Sequence, residues 1–78
     1  MTNPVIAAAD AEYTKAVQEA HAAEKASHLA QDAFRLKPGL QTYNAVIAEG
    51  ARWLARLEVA EQLKQKLIDT IAATKDIR

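Results

Sequence analysis

LQTYNAVIAEGARWLARLEVAEQLKQKLIDTI, residues 40 to 71, repeats its large apolar residues every three or four positions and contains no proline. One row comprises Leu40, Tyr43, Ile47, Leu54, Leu57, Ile68 and Ile71, with Gly50, Glu61 and Lys64 completing the alternation. A second row, Val46, Trp53, Ala60 and Leu67, lies one notch further round. This period belongs to an amphipathic helix, and two adjacent rows make a face wider than a two-stranded coiled-coil seam. The stretch therefore predicts one long helix with more apolar surface than a single neighbour covers.

Upstream, Lys37-Pro38-Gly39 is the only strong break. Proline cannot continue a helix and pushes the preceding residue out of the helical region, while glycine tolerates a positive φ. Before the break, from Pro4 to Leu36, no glycine or further proline interrupts the chain. Asn3 is placed to cap this first helix, and Pro4 suits its first position. Its seam reads Ile6, Ala9, Tyr13, Ala16, Ala20, Ala23, Ser27, Ala30 and Phe34. Small residues at this spacing admit a closely packed second helix. A connection this short implies antiparallel neighbours. The predicted fold is all-α: a two-helix, coiled-coil-like hairpin forming a single domain over residues 1–78. Helix one spans about 4–36, the turn 37–40 and helix two about 41–75.

Composition narrows the function. Of the 78 residues, 50% are apolar, but eighteen are alanine and add little core volume. Seven large apolar residues lie between Pro4 and Leu36, against thirteen between Leu40 and Ile77. A chain this short buries only about 60% of its unfolded surface. Small domains make up the shortfall with disulfides, metals or association. No cysteine is present, so disulfides are excluded. Ten basic and ten acidic residues cancel and are interspersed. Nucleic-acid binding and adhesion to anionic membranes both call for a basic footprint, which this pattern lacks. Val5–Ala9 lacks the length and preceding charge of a signal peptide, and a cytoplasmic location is expected.

Candidate chemistry is sparse. His21, Glu24 and His28 share one helix face at ligand-like spacing, but helix two offers no histidine to complete a set. Surface histidines, with no metal or other cofactor, are expected. Arg52, Trp53 and Arg56 could engage a nucleotide or an acidic peptide through cation–π contacts. An apolar-face tryptophan flanked by surface charge accounts for them better. There is no cysteine nucleophile, glycine-rich phosphate loop or Ser/His/acid set, so neither an enzyme nor a small-molecule substrate is expected.

The surplus apolar face points to a protein partner or to self-association. Hairpin closure is assigned to Ala16, Ala20, Ala23, Ala30 and Phe34 against Ile47, Leu54 and Leu57. Outside contact is assigned to Val46, Gly50, Trp53, Ala60, Leu67 and Ile71, with Gly50 as neutral drift, a close-crossing site or a notch for a partner's side chain. Trp53→Ala or Leu67→Glu is then expected to abolish association while sparing helicity. A non-enzymatic chaperone or adaptor is the leading functional reading, and a self-assembling virion, needle or filament subunit the alternative.

Residues 37–44, Lys-Pro-Gly-Leu-Gln-Thr-Tyr-Asn, follow an alanine-rich helix and precede Glu49, Trp53-Leu54 and Leu57. This layout resembles the small E-component co-chaperones of type III secretion needles. The resemblance implies a helical hairpin that joins a tetratricopeptide partner and keeps the needle subunit from polymerising in the cytoplasm. Needle subunits are hairpins of similar length, but this chain lacks their double-proline loop.

Overall fold

The computed structural model describes residues 3–76; Ile77, counted above with the apolar residues of the second half, lies outside them. Two helices, α1 (Pro4–Leu36) and α2 (Leu40–Asp76), pack along each other as an all-α hairpin, with no strand among the described residues. The rod measures 61 × 18 × 12 Å between Cα extremes.

Local chemistry sets each end. Asn3 is extended (φ −68°, ψ 120°), and its Oδ1 accepts hydrogen bonds from the N–H groups of Val5 at 2.9 Å and Ile6 at 3.4 Å. Those donors have no partner within the helix, and Pro4 contributes none. At the other end Lys37 leaves helical geometry (φ −140°, ψ 79°), as a residue before proline must, while its N–H still donates to Ala33 O at 2.9 Å. Gly39 does not use a positive φ. Instead its carbonyl starts α2 by accepting from Tyr43 N–H at 2.9 Å. The Thr42 hydroxyl lies 2.8 Å from Lys37 O and 3.1 Å from Gly39 O, so its one proton is shared across the turn.

Packing follows the alanine seam. Ala9, Ala16, Ala20, Ala23 and Ser27 of α1 are buried, and Ile6, Tyr13, Ala30 and Phe34 are half-buried on the same line. On α2 the residues turned inward are Val46, Trp53, Ala60, Leu63 and Leu67; Ala60 alone among them is fully buried. Phe34 and Tyr43 close the turn end, their ring centroids 6.1 Å apart.

This corrects the assignment of rows on α2. Ile47, Leu54 and Leu57, expected to close the hairpin, are 53%, 67% and 40% exposed. Val46, Gly50, Trp53, Ala60 and Leu67, expected to meet a partner, are buried or half-buried within the hairpin; of that set only Ile71 is exposed, at 37%. The reason is charge. The bulkier row contains Glu61 and Lys64, and turning it inward would desolvate both against alanine. The row chosen admits one acid, Glu49 beside the charged flank, and sets Ala60 at the interface, where small residues let the backbones approach.

Candidate protein-binding face

Inward placement of the Val46–Leu67 row gives the flat rod two unlike flanks. On one, Arg56 Nη1 reaches Glu19 Oε2 at 3.0 Å and Lys66 Nζ reaches Glu12 Oε2 at 3.4 Å, both bridging α1 and α2. Arg52 pairs with Glu49 at 3.5 Å on this flank, beside Ala23 and Ala26. Val59 and Leu63 sit here too, next to Glu12, Lys15 and Glu19. Exposed pairs of this kind contribute roughly 0.2–1 kcal/mol each. They label this flank as the solvated one.

The opposite flank is apolar. An open groove between the helices is lined by Tyr13, Val17 and Ala20 of α1 and by Trp53, Leu57 and Ala60 of α2, together with His21, Glu24 and Glu61. Leu57 and Glu61 belong to the outer row of α2, so the groove runs out onto Ile47, Leu54, Ile68 and Ile71, all exposed. Tyr43 continues the row and is 51% exposed. The result is an apolar strip along much of α2, broken only by Gly50, Glu61 and Lys64. Isolated exposed apolar residues are ordinary, whereas a contiguous strip is a docking feature.

The molecule's accessible surface is 6108 Å². A compact monomer of its mass would expose about 4,700 Å². Two helices cannot wrap a core, and the excess is surface that further helices could bury.

The residues singled out from sequence divide accordingly. Trp53 anchors the seam and forms a T-shaped pair with the His28 ring, with centroids 5.9 Å apart and planes at 78°. His21 and Glu24 border the groove, and no group of three metal-ligating side chains converges among the described residues. Arg52 and Arg56 lie on the charged flank, directed to Glu49 and Glu19 rather than to the tryptophan face. At Gly50 an added Cβ would meet nothing within 4 Å, so this glycine is not required for close helix crossing. The outer row was visible in the sequence as the bulkiest repeat. The signal that it faces outward was also there, in Glu61 and Lys64.

No helix among the described residues is long and apolar enough to cross a membrane. Comparison with protein-family models, with curated proteins and with solved structures gave no match.

Proposed function

We propose that this chain is a non-enzymatic, helix-mediated protein-binding module, a small adaptor or chaperone working in the cytoplasm. It acts by burying the apolar flank of the hairpin against helices of another polypeptide. One observation carries this reading: Tyr43, Ile47, Leu54, Leu57, Ile68 and Ile71 stand exposed on a single helical row. Side chains of this kind release about 25 cal/mol per Å² when removed from water, and no third helix covers them among the described residues. Residues 37–44 and the hairpin layout support type III secretion as the setting, with a needle subunit as the protein held.

A second reading, a self-assembling structural subunit, is favoured by the opposite charges of Glu61 and Lys64 within the same row.

Photo-crosslinking distinguishes the flanks. A photoreactive phenylalanine analogue replacing Leu54 or Ile47 is expected to give protein adducts of discrete mass in cells expressing the chain. The same analogue replacing Lys15 or Arg52, on the charged flank, is expected to give none. Equal adducts from both flanks, or none from Leu54 and Ile47, would overturn the proposal.

A further inference from the structure

We propose that the apolar flank is covered by a second copy of this chain, packed antiparallel about a two-fold axis between Glu61 and Lys64. This rests on the reading of that flank as a protein-binding face and takes its self-assembling form, with a second copy as the occupant in place of a needle subunit. The outer row from Leu54 to Ile71 has the order apolar, apolar, acid, base, apolar, apolar: Leu54, Leu57, Glu61, Lys64, Ile68, Ile71. All six are exposed, and among the described residues neither Glu61 nor Lys64 has an ion-pair partner inside the hairpin.

An antiparallel two-fold at the centre of this order makes the row its own complement. Glu61 lies opposite Lys64 of the second copy, and Lys64 opposite its Glu61. Leu57 then meets Ile68, and Leu54 meets Ile71, on both sides of the axis. A parallel pairing would instead set like charges against each other, which destabilises an interface. An unrelated partner would need the mirrored order on its own helix, whereas a second copy supplies it by symmetry.

Area permits the arrangement. Stable dimers bury about 1,200–2,000 Å² in total, or roughly 800 Å² per partner. The hairpin's surface exceeds that of a compact monomer of its mass by about 1,400 Å². Tyr13 and Val17, across the groove from Leu57 and Glu61, give α1 a share in the contact and make the product a four-helix bundle.

Sedimentation equilibrium of the full chain from low to high micromolar concentration tests this. The expected species is a dimer, twice the 8.5 kDa chain. Glu61→Lys and Lys64→Glu, each alone, are expected to weaken it by about tenfold or more, because like charges then face across the axis. The double exchange E61K/K64E is expected to restore association to near wild type. Both positions are exposed, so far-UV circular dichroism should report intact helices in all three variants. A monomer throughout the range overturns the second copy, as does an assembly larger than a dimer. A dimer indifferent to the single exchanges, or not rescued by the double one, overturns the two-fold at Glu61 and Lys64. Crosslinking at Leu54 separates these failures from failure of the binding reading: adducts to a different protein sink the second copy and leave the binding face standing.

Discussion

Gly50 and Glu49 sit side by side at the seam, and neither is optimised for the hairpin. Mid-helix glycine costs about 1 kcal/mol relative to alanine through backbone entropy, and a Cβ here would meet open space. Gly50→Ala is therefore expected to raise the thermal midpoint by roughly 4–8 °C, the shift 1 kcal/mol produces in a domain this size. A lowered midpoint would show that the space is needed. Glu49 presents the opposite case. Its Oε2 is buried with no hydrogen-bond partner among the described residues, while Oε1 has only the largely exposed Arg52 at 3.5 Å. An unpaired buried acceptor costs about 1–3 kcal/mol, more than a weak surface pair returns. Glu49→Leu should stabilise the hairpin by roughly 1–2 kcal/mol in denaturant titration, by the same reasoning. An unchanged or lower midpoint concentration would mean the carboxylate is better solvated than its burial implies.

At the scale of elements, the alanine seam of α1 sets how near the helices come. Ala16, Ala20 and Ala23 are buried against α2, and Ala20 shares its neighbourhood with Trp53, Leu57 and Ala60. Ala20→Leu is expected to cost about 1–3 kcal/mol by overpacking, despite its good helix propensity. The companion Ala22→Leu, on an exposed position of the same helix, should be close to neutral. Equal effects of the two on the melting temperature would show that the seam is not close-packed.

At the scale of the whole molecule, the exchange of rows on α2 reverses what two substitutions should do. Trp53 belongs to the seam, so Trp53→Ala should lower hairpin stability by about 2 kcal/mol, less than a fully buried tryptophan would cost. Leu54 belongs to the outer strip, so Leu54→Glu should change the stability of the isolated hairpin by no more than about 0.5 kcal/mol. Its effect should fall on association instead. Thermal melts at low concentration, paired with sedimentation at high concentration, read the two effects separately. Loss of association in Trp53→Ala without loss of stability would return Trp53 to the outside.

Much of this protein follows from the chain alone. The Asn3 cap, the Pro38 break and the unbroken 3-4 spacing dictate helices and a turn, because each acts over a few residues of backbone. The alanine line from Ala9 to Ala30 likewise identifies the inner face of α1, having no competing apolar row beside it. On α2 two adjacent rows compete, and hydrophobic bulk favours the wrong one. Glu61 and Lys64 in the bulkier row point to the answer, and the packed pair of helices decides it. Burying Glu61 and Lys64 against alanine costs more than leaving Ile47, Leu54 and Ile68 in water, and Arg56 and Lys66 reach Glu19 and Glu12 in this orientation. Which face a helix buries depends on its partner's shape and on the solvation of every residue in the row, and neither is a property of one helix read by itself.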